Sequence, residues 1–171
     1  MALQVAVCGP RECTAADQAR AAEVGRLLAR AGAVVICGGG PGVMAAVAAG
    51  ASRENGLVIG VRPDADPGGA CPGLSAVIVT NMGQARNAVI VWSADAVISV
   101  GGSWGTLSEI ALARRRGHIP VISLGGWSVR DSNGQPLPDG PAVASSPEQA
   151  VNLALQAAPS YISGHQAHRP Q

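Results

Sequence analysis

Two glycine-rich loops in this chain carry the residue types that bind phosphate. One spans residues 37–44 and reads Cys-Gly-Gly-Gly-Pro-Gly-Val-Met, and the other spans residues 100–106 and reads Val-Gly-Gly-Ser-Trp-Gly-Thr. Glycine lets the backbone approach a phosphate closely, and the helix after such a loop offers unpaired N–H groups and partial positive charge. The hydroxyls of Ser103 and Thr106 strengthen the prediction of an anion site at the second loop. The first loop can also be explained by a tight strand-to-helix turn with close packing.

Glu109 and Arg86 are candidates for chemistry near these loops, but each also has a simpler interpretation. The stretch Thr106–Glu109 fits a capping box, in which the Glu109 carboxylate would accept a hydrogen bond from the Thr106 backbone N–H. Arg86 on a mostly apolar helix would be a solvated residue at the edge of a buried face. Taken one at a time, the residues leave both interpretations open.

The composition excludes several classes of function. All 12 cationic side chains are Arg, which excludes a Walker-type lysine, a lysine Schiff base with pyridoxal phosphate and a lysine nucleophile. Phe is absent and aromatic residues make up 2% of the chain, so stacking platforms for single-stranded nucleic acid are missing. The net charge of +1 favours neither nucleic acid nor a membrane surface as a partner. An Ala-rich chain with Arg as its only cation is typical of bacteria with GC-rich genomes.

The cysteines and histidines lack the spacing of a metal site. The four cysteines form no CxxC pair, and the three histidines do not show zinc-ligand spacing. The chain opens with MALQVAVCGP, which has the pattern of a β-strand and lacks the basic segment of a signal peptide. These observations predict reduced thiols, no metal, no cofactor and a cytoplasmic location.

Short β-branched runs alternate with longer Ala-rich helical segments, which is the pattern of a parallel α/β sheet. The runs are apolar without clean alternation, as expected for strands covered on both faces. Residues 1–158 are therefore predicted to form a single Rossmann-like, doubly wound parallel sheet of six or seven strands with helices on both faces. A flexible tail is predicted at residues 159–171. The predicted strands are Leu3–Cys8, Val34–Cys37, Leu57–Val61, Ala76–Thr80, Ala96–Val100 and Ile119–Ser123.

Five helices are predicted among these strands. Thr14 and Asp17 resemble a capping box that opens the first helix, and Gly32 follows where its C-terminal cap belongs. The segments Arg62–Ser75 and Gly125–Ser145, rich in turn-forming residues, are predicted loops, the second containing a small hairpin or forming a lid. The later helices are predicted over Gly42–Glu54, Gly83–Ser93 and Thr106–Arg116, and after Ser146-Pro147.

The position of the loops favours a binding site but not a nicotinamide enzyme. Ligands of open parallel sheets bind at the carboxyl ends of strands, near the point where the strand order reverses, and both glycine-rich loops follow predicted strands. The dinucleotide fingerprint GxGxxG should follow the first strand, but that strand runs into Gly9-Pro10-Arg11. A nicotinamide-dependent redox enzyme is therefore disfavoured.

Taken together, these motifs resemble those of the Lonely Guy-type nucleotide phosphoribohydrolases, a Rossmann-like family often labelled as lysine decarboxylases. That family carries a GGG…GLM loop, an Arg-Lys pair on a middle helix and a PGGxGTxxE motif. The matching stretches here are Gly38–Met44, Arg86-Asn87 and Gly101–Glu109, and the resemblance covers Leu3–Leu124. It is greatest to a shorter branch of the superfamily that includes molybdenum-cofactor carrier proteins.

The resemblance implies hydrolysis of an AMP-like nucleoside 5′-monophosphate to a free base and ribose 5-phosphate. Breaking the N-glycosidic bond builds positive charge on the ribose, and Glu109 would stabilise that charge or activate water. Arg86 would position the phosphoribosyl group or assist the leaving base. Further ligand contacts would come from Gly39 and Gly40 near the ribose, from Met82 near the base, and from Gly101, Gly102, Ser103, Gly105 and Thr106 around the phosphate.

Three departures from the family pattern keep two other functions open. Gly101 replaces a Pro, Ser103 replaces the second Gly of the motif, and Asn87 replaces the Lys. They favour, as one alternative, a non-catalytic carrier of a phosphorylated pterin (molybdenum cofactor) or of a nucleotide. The other alternative is an interaction module with vestigial loops. The family also implies a homodimer or higher homo-oligomer, with Val89 and Trp92 of the third predicted helix as a candidate interface.

Overall fold

The computed structural model describes residues 2–166 and contains a seven-stranded sheet whose paired strands all run parallel. The strand order is β4-β3-β2-β1-β5-β6-β7. This order confirms the predicted doubly wound parallel sheet and sets the strand number at seven in the described part of the chain. The strands are β1 (Gln4–Cys8), β2 (Val34–Cys37), β3 (Val58–Arg62), β4 (Ala76–Val79), β5 (Ala96–Val100), β6 (Val121–Leu124) and β7 (Ala142–Ala144).

Helices cover both faces of the sheet, as predicted. Their bounds are α1 (Ala15–Arg30), α2 (Val43–Ser52), α3 (Arg86–Trp92), which follows a 3₁₀ turn at Gly83–Ala85, α4 (Trp104–Arg116) and α5 (Pro147–Gln166). One apolar core lies under α1, α2 and α5, and a second lies under α3 and α4. The predicted flexible tail begins within α5. Residues 167–171 lie outside the described residues, so the flexibility of the tail stays a prediction.

The capping box predicted for α1 is present. The Thr14 hydroxyl accepts a hydrogen bond from the Asp17 backbone N–H at 3.1 Å, and the Asp17 carboxylate accepts one from the Thr14 N–H at 3.4 Å. Gly32 follows the helix with a φ of +72°, a left-handed conformation that ends a helix readily. Local sequence therefore sets both ends of α1.

The strand order reverses between β1 and β5. These two central strands pair in register, with Cys8 opposite Ser99, so their carboxyl ends lie side by side. The chain leaves β1 through α1 toward β2, and it leaves β5 through α4 toward β6 on the other side. Because the two connections diverge, a crevice is left at this point, which is where ligands of doubly wound sheets bind.

Two elements differ from the prediction. β7 lies inside the segment predicted as a loop, because three residues with two alanines give too weak a strand signal. The loop before β7 contains an isolated antiparallel bridge between Arg130 and Pro136, so the predicted small hairpin is present. α4 begins at Trp104, two residues before its predicted start.

The candidate interface on α3 is only partly exposed. Asn87, Ile90 and Val91 are buried, and Val89 packs against the core. Trp92 is 63% exposed, and the Arg116 guanidinium lies 5.0 Å from the centre of its ring. Trp92 is thus available on the surface of the chain, and the homo-oligomer stays a prediction.

Glycines bring α1 and α2 into close contact. A Cβ added at Gly50 of α2 would overlap the carbonyl oxygen of Ala22, and one added at Gly25 of α1 would overlap that of Val47. A Cβ added at Gly9, just after β1, would lie 2.4 Å from Val43 Cγ1, which is closer than van der Waals contact allows. These contacts fix the start of α2 and therefore the glycine-rich loop that precedes it.

We expect Gly50→Ala to destabilise the fold by roughly 2 kcal/mol, because the added methyl group forces two packed helices apart. Chemical denaturation should show the loss as a lower midpoint. Ser52→Ala, at an exposed position of the same helix, is the matched control and should change the stability by less than about 0.5 kcal/mol. Equal stability of Gly50→Ala and the wild type would contradict the close contact.

Candidate functional site

A polar pocket of about 150 Å³ lies at the carboxyl ends of β1 and β5, where the strand order reverses. Its walls come from the end of β1, the first glycine-rich loop, the start of α3 and the first turns of α4. The structure therefore brings together residues that lie up to about a hundred positions apart in the chain. Five of the predicted site residues line this pocket: Arg86, Ser103, Gly105, Thr106 and Glu109.

Arg86 and Glu109 form a buried ion pair inside this pocket. Arg86 is 9% exposed and Glu109 is 7% exposed. Arg86 Nη1 lies 3.5 Å from Glu109 Oε1, which is too long for a strong hydrogen bond. Within the described residues, Arg86 Nε and Nη1 have no hydrogen-bond partner. A buried guanidinium with unused donors is suited to an anionic or polar ligand, since unmade buried hydrogen bonds are costly.

The simpler interpretations of these two residues are wrong. Arg86 is buried rather than solvated. The N-cap of α4 is Ser103, whose hydroxyl accepts from the Thr106 N–H at 3.2 Å. Thr106 is therefore the third residue of the helix, and Glu109 lies in the second turn. The Glu109 carboxylate is left to face Arg86.

Burial controls the protonation of the acidic groups in the pocket. It raises the pKa of Glu109 from 4.5 to about 7, although the Arg86 charge and a hydrogen bond with the Cys8 thiol act in the opposite direction. Burial also raises the pKa of Cys8 well above its ordinary value, and the neighbouring Glu109 charge adds to this rise. Cys8 is thus a neutral thiol at pH 7, whereas Glu109 is near the midpoint of its titration and can both take up and release a proton.

The start of α4 offers hydrogen-bond donors to an anion. The Ser103 and Thr106 hydroxyls lie 3.0 Å apart. The backbone N–H groups of Trp104 and Gly105 belong to the first turn, whose donors have no partner within the helix. A Cβ at Gly105 would meet only the Ser103 hydroxyl, at 3.7 Å, so the backbone here stays open to a ligand. Arg11 also lines the pocket and adds a positive charge.

The first glycine-rich loop supports the pocket through Gly38. A Cβ at Gly38 would lie 2.7 Å from Arg86 Nη2, so the glycine makes room for the buried guanidinium. Cβ atoms at Gly39 and Gly40 would instead lie 3.2 Å and 3.4 Å from atoms of the Arg62 side chain. Gly38, rather than its two neighbours, lines the pocket. The ligand contacts of Gly39 and Gly40 stay predictions.

Gly101 and Gly102 line a different cavity, which we call the β6–β7 cavity. Its volume is about 460 Å³, and it lies between α4 and the segment 123–143. Ser103 and Thr106 line both this cavity and the polar pocket. The start of α4 therefore joins two compartments of different character.

The two glycines at this boundary allow close contacts within the protein. A Cβ at Gly102 would lie 2.7 Å from Trp127 Cδ1, and a Cβ at Gly101 would lie 3.1 Å from the Asp17 carboxyl group. Gly101 also has a φ of +66°, which favours glycine over other residues. Contacts inside the fold thus account for both glycines without a ligand.

Sequence reasoning missed several residues of the polar pocket. Asn87 is 2% exposed and lines it beside Arg86, and Cys8 and Arg11 enter it from the end of β1. The sequence signal that could have identified Cys8 and Arg11 is their position at and just after the end of a central strand. Gln84 also lines the pocket, whereas Met82 is 48% exposed and its contact with a base stays a prediction.

The cysteines are a further group of chemically reactive side chains. All four cysteines are free thiols. Among residues 2–166, no group of three or more His, Cys, Asp or Glu side chains is arranged to hold a metal ion. In the same part of the chain, no helix combines the length and the apolar character needed to cross a bilayer.

The parallel sheet and the helix start at its switch point define a Rossmann-like protein of the kind that binds nucleotides or cofactors. The sequence profile of the SLOG cluster4 family matches residues 2–151, and the chain belongs to that family. An uncharacterized protein from Archaeoglobus fulgidus is 40% identical over 154 residues, which cover 90% of this chain and 95% of the relative.

Two solved structures are similar over nearly their whole length. The molybdenum cofactor binding protein from the phototrophic bacterium Rippkaea orientalis has a TM-score of 0.80 and 34% identity, covering 91% of this chain and 97% of that one. The molybdenum cofactor carrier protein from Chlamydomonas reinhardtii has a TM-score of 0.75 and 26% identity, covering 92% and 98%. These likenesses, with the family match, confirm the superfamily inferred from the three motifs.

The raised pKa of Glu109 predicts pH-dependent anion binding. Sulfate keeps one charge state from pH 6 to pH 8, whereas the protonated fraction of a group with a pKa of about 7 falls from about nine tenths to about one tenth. Because the ionised carboxylate repels an anion, sulfate should bind up to about tenfold more weakly at pH 8. Calorimetric titration at both pH values measures the difference.

Glu109→Gln should remove this pH dependence, since the amide stays neutral throughout. Glu148→Gln is the matched control, because Glu148 is exposed in the first turn of α5. This variant should retain the wild-type profile. A profile that is unchanged in Glu109→Gln would contradict the assignment of the titrating group to Glu109.

Proposed function

We propose that this protein binds a small phosphorylated ligand at the start of α4 and carries it without chemical conversion. The observation that carries the proposal is the buried Arg86 guanidinium, two of whose nitrogens have no hydrogen-bond partner in the described structure. It faces a pocket that also contains the N-terminus of α4. A phosphate group supplies the acceptor oxygens and the negative charge that both features require.

The ligand class that we infer is a phosphorylated pterin, of which the molybdenum cofactor is an example. Support comes from the names of two similar proteins, one a molybdenum cofactor binding protein at 34% identity and the other a molybdenum cofactor carrier protein at 26% identity. A nucleotide shares the phosphate and a heteroaromatic ring, so it is the natural competitor. Molybdenum would enter as part of the cargo rather than as a resident metal.

Residues beside Arg86 favour a carrier over an enzyme. The next position holds Asn87, a buried neutral amide, where the resembling hydrolases have a lysine. Position 87 therefore adds no positive charge beside the guanidinium, and Arg11 is the other cationic residue that lines the pocket. Ser103, which replaces a glycine of the hydrolase motif, is used as the helix cap. These exchanges retain anion binding and remove a group that the related enzymes carry.

One observation favours nucleotide phosphoribohydrolysis as a second candidate. The Glu109 carboxyl lies in the same pocket as Arg86 and has a pKa of about 7. A carboxyl group in that range is suited to general acid–base work or to stabilising a developing positive charge on ribose. The two candidates share the ligand-binding residues and differ in whether the ligand is cleaved.

We expect Arg86→Gln to weaken the binding of a pterin monophosphate by about tenfold or more, because charge-assisted hydrogen bonds are lost. Arg114→Gln is the matched control, since Arg114 is exposed at the far end of α4. Calorimetric titration should show a wild-type dissociation constant for this control. Thr106→Val, which keeps the shape of the side chain, is a second variant and should also weaken binding. Wild-type affinity in both site variants would contradict the proposal.

A turnover assay separates the two candidate functions. We expect the wild-type protein to return pterin monophosphate, AMP and GMP intact after prolonged incubation, as judged by chromatography and mass spectrometry. Repeated release of free base that disappears in Glu109→Gln would instead establish the hydrolase. Unchanged release in Glu109→Gln would exclude Glu109 from the mechanism.

A further inference from the structure

The β6–β7 cavity is a second compartment next to the polar pocket. It is lined by α4 on one side and by the segment 123–143 on the other. Its walls are mainly apolar, with Leu107 and Ile110 from α4 and Trp127, Leu137 and Val143 from the facing segment. Of these five residues only Leu107 lies within one of the three motifs, so the motifs did not predict the cavity.

Trp127 is held in place in the wall of this cavity. Its ring packs against the backbone of Gly102, and a Cβ added at Gly102 would lie only 2.7 Å from Trp127 Cδ1. Gly126 has a φ of +90°, and a Cβ there would overlap the Gly101 carbonyl oxygen. The Trp104 ring meets the Trp127 ring edge to face, with their centres 5.0 Å apart. The two loops therefore fix an aromatic surface beside the proposed phosphate site.

The facing segment is braced by its own hydrogen bonds. The Asp131 carboxylate accepts from the backbone N–H groups of Asn133 and Gln135, at 2.9 Å and 2.8 Å. The Arg130 guanidinium donates to the Gly134 carbonyl oxygen at 2.8 Å. A turn stabilised in this way can keep the cavity open without a ligand to order it.

We infer that the β6–β7 cavity holds the heteroaromatic ring of the ligand whose phosphate lies at the start of α4. This inference rests on the proposed function and extends it by placing the ring. Pockets for small molecules have volumes of roughly 300–1,000 Å³ and mainly apolar walls. At about 460 Å³ the cavity falls in this range, whereas the polar pocket of about 150 Å³ is too small for a whole ligand.

Continuity between the compartments supports a single ligand that occupies both. Ser103 and Thr106 line both the polar pocket and the cavity. A ligand whose phosphate lies near their hydroxyls could therefore extend into either space. The polar pocket contains the buried Arg86 guanidinium, which suits an anion. The cavity offers the Trp127 ring for contact with a flat ring, together with the hydroxyls of Ser123 and Ser128 for its polar edge.

The first test uses Trp127→Ala with Trp92→Ala as the matched control. Trp92 is exposed on α3 and takes no part in lining the cavity. Two probes are titrated by calorimetry: 6-hydroxymethylpterin, which carries the ring alone, and its monophosphate. Trp127→Ala should weaken the binding of both at least tenfold, and Trp92→Ala should leave both within twofold of the wild type. Wild-type affinity in Trp127→Ala would overturn the inference.

A second variant and a phosphate-only probe keep the two proposals separable. Leu137→Asp places a charge at a half-exposed loop position in the cavity wall, so the fold should survive, and the pterin should again bind at least tenfold more weakly. Inorganic phosphate should bind both cavity variants as it binds the wild type. If the wild type does not bind inorganic phosphate, the proposed phosphate site is rejected. Failure of the wild type to bind the unphosphorylated pterin at millimolar concentration would reject the ring site.

Tryptophan fluorescence gives a readout that a purely structural role of Trp127 would not produce. The chain has three tryptophans, so the double variant Trp92→Phe/Trp104→Phe leaves Trp127 as the sole one. Saturation with the pterin should quench its emission strongly, because the ring lies against the indole. Unchanged emission at saturation, after correction for absorbance by the pterin, would overturn the inference.

Discussion

The buried charge of Arg86 is the constraint on which the rest of the site depends. A guanidinium out of water is costly unless it is paired and hydrogen-bonded, and here the Glu109 carboxylate lies 3.5 Å away while two nitrogens lack partners in the described structure. The same burial holds Glu109 partly protonated near pH 7, which weakens the pairing further. An anionic ligand would therefore relieve a cost that the folded protein already bears.

Several glycines of this protein allow close contacts between its own parts. Gly38 admits the Arg86 guanidinium, Gly102 admits the Trp127 ring, and Gly50 admits a carbonyl oxygen of α1. Of the glycines considered as ligand contacts, Gly105 is the one whose added Cβ would meet little, so its backbone N–H is the accessible donor. A glycine-rich loop after a strand thus marks the place of a site without showing which atoms face the ligand.

The start of α4 lies between the polar pocket, where we propose that the phosphate binds, and the cavity, where we propose that the ring binds. Ser103 caps the helix and, with Thr106, borders both the polar pocket and the β6–β7 cavity. One helix terminus can therefore orient a phosphate while the rest of the ligand lies in a mainly apolar space. A carrier requires only that the ligand bind in this way. Hydrolysis would require in addition that the scissile bond of the ligand lie beside Glu109.

The sequence by itself determined the features that local patterns encode: a parallel sheet, six of its strands to within about two residues, and the α1 capping box of Thr14 and Asp17. The three motifs also placed the chain in its superfamily. Only the tertiary structure decided that Arg86 is buried, that Ser103 rather than Thr106 caps α4, and that Trp127 walls a cavity. Periodicity and capping are interactions between near neighbours in the chain, whereas burial depends on segments such as β1, α3 and 123–143 that meet only after folding.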